Sequence, residues 1–127
     1  MYSLEDLEVY KIAVEIRKGF SKFSKELPLE EKYKLKDQVI RASRSVTANI
    51  AEGYGRYHFQ EQIQYCRQAR GSLFELKDHL SVSLEEDYLT NESYSSRIQE
   101  IENAIKKING YIKYLQNQKE KYQKKKY

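Results

Sequence analysis

Hydrophobic residues in the last third of the chain recur with a period that leaves little choice of structure. Tyr94, Ile98, Ile101, Ile105, Ile108, Ile112 and Leu115 follow one another in alternating steps of four and three residues, without a miss. That spacing draws one stripe along an α-helix. Isoleucine at both seam positions of successive heptads predicts coiled-coil-like packing against further helices. Thr90-Asn91-Glu92 supplies a capping hydroxyl and an early anion just ahead. The pattern predicts a helix over about 91–118. It fades after Leu115, and residues 119–127 are expected to be a frayed or disordered tail.

The same periodicity returns three times upstream. Val9, Ile12, Ile16, Phe20, Phe23 and Leu27 mark a first helix over about 4–26, with Ser3 as its cap and Glu5 and Asp6 in its first turn. Leu27-Pro28-Leu29 breaks it, because proline disfavours helix in the preceding residue yet suits a first turn. Leu35, Val39, Ala42, Val46, Asn49 and Gly53 stripe a second helix over about 29–53 and place Asn49 on a core-type position. Gly53 is expected to close this helix in the left-handed conformation, and Gly55 to let the chain turn back. Phe59, Ile63, Cys66, Leu73, Leu76, Leu80 and Leu84 stripe a third helix over about 57–87. Gly71 beside Ala69 and Ser72 predicts a close approach of another backbone there. Four helices of roughly 35–45 Å with short connections predict an all-α, antiparallel up-down-up-down four-helix bundle, one domain over residues 1–118.

Composition agrees with long helices: one proline, five glycines and 33% charged residues in a chain of 127. No apolar run approaches the roughly 20 residues of a membrane span, and the N-terminus lacks the basic and apolar regions of a signal peptide. A cytoplasmic chain without membrane partners is expected. The net charge of +4 is the charge of the tail alone, which holds five lysines and one glutamate; residues 1–118 carry eighteen basic and eighteen acidic side chains. The overall basicity therefore describes the tail and not the body. Twelve tyrosines, more than one small core needs, predict a homo-oligomer, because a ring that is apolar with a wet hydroxyl suits an interface.

Catalytic chemistry finds little footing. His58 and His79 are the only histidines, and neither has a nucleophile–base arrangement around it. Glu75 and His79 share a helix face but lack the further ligands of a di-metal bundle, so no metal and no cofactor is expected. Cys66, on an apolar stripe, reads as a small core residue rather than a reactive thiol. Gly53-x-Gly55 follows a helix and is too short to cradle a phosphate. The chain is expected not to be an enzyme.

The arginines are distributed less evenly. Five of the seven, Arg41, Arg44, Arg56, Arg67 and Arg70, fall in a window that contains no lysine. A hairpin turning at about residue 55 would set Arg44 level with Arg67 and Arg41 level with Arg70, two rungs of like charge with Arg56 at the turn. Such rungs pair with carboxylates such as Glu52, Glu61 and Glu75, or face an anion: RNA, a ribonucleoprotein, or an acidic patch on another protein. Asn49, Glu52, Ser72 and Glu75 are the candidates for a structural polar network, with Asn49 setting register.

Arg41-Ala42-Ser43-Arg44-Ser45, Asn49-Ile50-Ala51-Glu52-Gly53-Tyr54-Gly55-Arg56 and Gly71-Ser72-Leu73-Phe74-Glu75-Leu76, with Leu7-Glu8-Val9-Tyr10 and the Leu27-Pro28 break, closely resemble the four-helix-bundle proteins encoded in intervening sequences of bacterial 23S ribosomal RNA genes. The resemblance covers most of residues 4–115. It implies a bacterial, cytoplasmic bundle that assembles as a ring, commonly a pentamer, with no known catalytic activity. A related branch serves as accessory protein to the reverse transcriptase of diversity-generating retroelements, so the resemblance implies an RNA, ribonucleoprotein or protein partner. Two departures stand out: Gln62 occupies a position that is aromatic in much of the family, and the Lys-rich tail lies beyond the shared region.

Overall fold

The computed structural model describes residues 3–126; Met1, Tyr2 and Tyr127 lie outside them. Four helices form an antiparallel up-down-up-down bundle: α1 (Glu8–Glu26), α2 (Leu35–Tyr54), α3 (Phe59–Glu85) and α4 (Asn91–Lys126). Among the described residues no helix is long and apolar enough to cross a membrane.

Local chemistry sets the boundaries, and two differ from the periodicity. Ser3 does cap a turn: its backbone N–H and its hydroxyl both donate to Asp6 Oδ2 at 3.1 Å. These bonds, with the backbone one leading, hold the Asp6 carboxyl below its ordinary value. That turn is a single 3-10 turn over Leu4–Asp6, however, and α1 begins only after the extended Leu7. Leu29–Glu31 likewise forms only a 3-10 turn, and α2 starts at Leu35, where the apolar stripe begins and six residues later than the expected boundary at 29. The reason is burial. Leu29 and Tyr33 are 83% and 84% exposed, and Leu35 is the first residue of the segment to enter the core. At the same end of the bundle, where the Tyr88 hydroxyl donates to Glu31 Oε2 at 2.8 Å, Asp87 takes the left-handed conformation (φ 61°) and closes α3, and the Thr90 hydroxyl accepts the Ser93 amide to cap α4.

Gly53 is needed, but not for the reason its position in the sequence gives. No described glycine has positive φ, and Gly55 ends α2 at φ −77°. A Cβ on Gly53 would instead lie 2.8 Å from the Tyr65 Cβ and 3.3 Å from the Gln62 carbonyl oxygen. The absent side chain lets the end of α2 press onto the start of α3. Gly71 is the reverse case. Nothing comes within 4 Å of its Cβ direction, so the close backbone approach expected there does not occur within the protomer.

The core runs the length of the bundle through Val9, Ile16, Phe20, Phe23, Val39, Val46, Ile63, Leu73, Leu76, Leu80, Ile101, Ile108 and Leu115, all at most 5% exposed. Asn49 does not join it. After Val46 the buried position falls to Ile50 (2% exposed), a step of four rather than three, and Asn49 turns to the half-buried flank. The seams are unequal: α2 packs closely on α3, α3 on α4 and α1 on α2, whereas α1 meets α4 only lightly. Arg97 of α4 bridges that looser seam. Its guanidinium carbon lies 4.8 Å from the Phe23 ring centroid and 5.7 Å from that of Phe20, and its Nη1 donates to the Gly19 carbonyl at 3.3 Å. Its Nε is shut off from water with no hydrogen-bond partner.

The tail departs furthest from expectation. α4 continues as helix to Lys126, about two turns past Gln118. Lys, Glu and Gln are good helix formers, and Lys119 Nζ ties the extension to Gln60 Oε1 at 2.8 Å.

Candidate functional site

The hairpin between α2 and α3 is held by a cluster around Arg56. Its Nη2 donates to Glu52 Oε1 at 2.7 Å and to the Tyr65 hydroxyl at 2.9 Å, and its Nη1 reaches Glu61 Oε2 at 3.5 Å. The guanidinium also lies over the Tyr65 ring, 5.1 Å from its centroid. Hydrogen bonding to Glu52 raises the Arg56 pKa further. Gln62 Nε2 donates to the Arg56 carbonyl at 2.7 Å and fastens the turn. Arg56 is committed to the protomer's own carboxylates.

The other four arginines do not form rungs. The Ser45 and Ser72 hydroxyls lie 2.8 Å apart, and Gly53 meets Gln62 and Tyr65. Opposed positions therefore sum to about 117 rather than 110, two helical turns away from the register that a turn at residue 55 requires. The chain stays non-helical from Gly55 to His58 before α3 begins, which moves the crossing point. Arg41 pairs with Asp37 one turn back at 3.0 Å, and Arg70 faces α4, donating to Asn109 Oδ1 at 2.7 Å. Arg67 is exposed on α3 and Arg44 on α2. Among the described residues neither guanidinium has an ion-pair or hydrogen-bond partner.

The proposed polar network also divides. Asn49 Nδ2 donates to the Ser45 carbonyl (2.9 Å) and hydroxyl (3.0 Å), and Ser45 joins Ser72, so Asn49 and Ser72 belong together through a residue the sequence did not single out. Glu52 serves Arg56. Glu75, exposed, lies 3.1 Å from Nε2 of the buried His79. Among the described residues no group of three His, Cys, Asp or Glu side chains gathers to hold a metal. Cys66 is buried, and burial pushes its thiol up to about 11 against a smaller opposing effect of Arg70.

A different cationic surface emerges along α1. A shallow groove of about 900 Å³ is lined by Lys11, Arg17, Lys18, Lys22 and Lys25 of α1 and by Arg44 of α2, over a floor that includes Ile12, Ile16 and Gly19. Only Glu15 and Glu100 bring negative charge to it. Glu15 lies a distant 3.8 Å from Lys18, with both side chains well exposed. Arg17 Nη1 is anchored on Thr47 Oγ1 at 3.1 Å, which fixes one cation between α1 and α2 while Arg44 beside it stays free. The lysine spacing of seven, four and three from Lys11 was the signal in the sequence: one polar stripe of a helix, hidden by the neutrality of the body as a whole.

The comparisons with known proteins bear on this arrangement only through the fold. A crystal structure of a protein of unknown function from the S23 ribosomal protein family of Bacteroides thetaiotaomicron VPI-5482 superposes with a TM-score of 0.77, at 24% identity over 83% of this chain and 98% of that one. Comparison with curated proteins returned no match. The family model described as 23S rRNA-intervening sequence protein matches residues 5–110. With the four-helix architecture and most of the chain inside that match, this protein belongs to the 23S rRNA-intervening sequence protein family.

Proposed function

We propose that this chain is a non-enzymatic, homo-oligomeric bundle of the cytoplasm that binds RNA or an RNA–protein particle through the cationic groove along α1. The observation that carries this reading is the groove's charge. Six cations line it against two carboxylates, and Arg44 has no partner among the described residues. Lysines on one helical stripe suit a phosphate backbone as point charges, and arginine adds a fork that takes two phosphate oxygens at once. A ring of copies, five being the number the family resemblance implies, repeats the groove and multiplies weak contacts.

The test is the salt dependence of binding to a structured RNA. Each phosphate neutralised adds roughly 0.7–0.9 to the slope of log affinity against log salt. Lys18→Glu with Lys22→Glu is expected to weaken binding at least tenfold and to flatten that slope. Arg41→Ala, which removes a cation already paired with Asp37, leaves both nearly unchanged. Equal binding by parent and groove variant, or none by the parent at about 0.15 M salt, overturns the reading.

A second reading rests on the outer face of α3. Phe74 is 52% exposed, one turn from Gly71, where an added Cβ would meet nothing from another part of the protomer within 4 Å. An exposed ring beside a bare helix backbone favours a protein neighbour. This supports a scaffold, or an accessory subunit of a nucleic-acid enzyme such as a reverse transcriptase.

A further inference from the structure

At the hairpin end of the bundle, the start of α3 and the extension of α4 form a second cleft, of about 600 Å³, walled by Tyr57, Phe59 and Tyr122. Tyr57 is 84% exposed and Tyr122 55%, so two large rings stand open to solvent where the core has already closed beneath them. Among the described residues Tyr57 makes one ring contact, edge-on with His58, centroids 5.1 Å apart. Polar groups sit at the rim: the amides of Gln60 and Gln123, and Lys119 Nζ held by Gln60 Oε1. Lys121, Lys124 and Lys125 follow on the same exposed helix end, against one carboxylate, Glu120.

We infer that this cleft takes an unpaired base of a single-stranded RNA, stacked against Tyr57 and Tyr122, with the flanking phosphates on Lys119 and the lysines beyond it. Flat rings offer a π-face that every base can use, amides can meet base edges, and the lysine excess supplies the complementary charge. A duplex cannot enter, because its bases are already stacked. The inference rests on the RNA-binding reading for its choice of polymer, but the surface, the residues and the form of RNA differ from those of the α1 groove. It also gives the helical extension past Leu115 a role that packing does not supply.

The test uses the full chain and two probes, a labelled single-stranded hexanucleotide and a blunt RNA duplex, read by fluorescence anisotropy. Tyr57→Ala and Tyr122→Ala, both at exposed positions, are each expected to weaken hexanucleotide binding about tenfold and to leave duplex binding unchanged. Tyr57→Phe keeps the ring and binds as the parent does. Lys119→Gln lowers the salt slope for the hexanucleotide by roughly 0.7. The α1 variant Lys18→Glu with Lys22→Glu does the converse, losing duplex and keeping hexanucleotide. If the tyrosine variants bind the hexanucleotide as tightly as the parent, or the parent does not bind it, the cleft is not a base site, whatever the duplex result. Loss of the duplex result alone overturns the groove and leaves the cleft standing.

Discussion

At the scale of single residues, the strongest constraints lie where a side chain is missing or displaced. Gly53→Ala drives a methyl group against the Tyr65 Cβ, which is the root of a side chain and moves only with the α3 backbone. Overpacking of this kind costs about 1–3 kcal/mol, and the midpoint of denaturant unfolding should fall accordingly. Asn49→Ala, by contrast, removes hydrogen bonds made within α2 on a half-buried flank, and should cost under about 1 kcal/mol by the same measurement. The stripe places Asn49 on a core-type position instead. Val46 and Asn49 are three apart and Val46 and Ile50 four, and both steps fit a helix; only the partner helix decides which one is buried. Cys66 gives a prediction in pH. Burial raises its folded pKa from 9.0 to about 11, so the folded state favours the neutral thiol. That contribution to stability is intact below pH 9.0 and is lost as pH rises through about 11. Tyr111, pushed to about 12 chiefly by burial, adds a later loss from about pH 10 upward. Thermal melts of Cys66→Ala should therefore start lower overall but begin their alkaline decline about one unit later than the parent's.

Among the helices, the stripes predicted number, order and pairing well, because a period of four and three is set by the same geometry that buries the stripe. The expected boundaries failed where they ran past the stripes, and so past burial. Leu29–Glu31 carries helix-starting anions and a favourable proline, yet with Leu29 left exposed it makes one 3-10 turn. Past Leu115 the opposite holds, since favourable propensity and one tie to α3 carry α4 to Lys126 with no core beneath it. Truncation after Gln118 is expected to lower the far-ultraviolet helix signal while shifting the unfolding free energy by less than about 1 kcal/mol, because none of the residues described as buried lies in it. A large loss of stability would mean that the extension is part of the packed body. The arginine rungs failed for a related reason. Register across a hairpin depends on where its turn is centred, and the non-helical stretch runs from Gly55 to His58 rather than over the expected 54–56.

For the whole molecule, the unequal seams and the exposed face of α3 matter more than any one contact. Gly71→Ala separates protomer from assembly. With nothing within 4 Å, alanine should stabilise the isolated helix by about 0.5–1 kcal/mol. If copies meet at Phe74, the same methyl group weakens their association, and light scattering should show a shift toward the 15.2 kDa protomer. A parent that scatters only as protomer at micromolar concentration contradicts the oligomer. The lightly packed seam between α1 and α4 carries a consequence of its own. Arg97 Nε is sealed there without a partner, so each closure of the seam strips one polar group of its water. Opening lets that nitrogen be solvated again, and the transient parting of α1 from α4 is thus cheaper than parting α2 from α3. Opening is therefore expected to begin along this edge, which runs beneath the cationic groove.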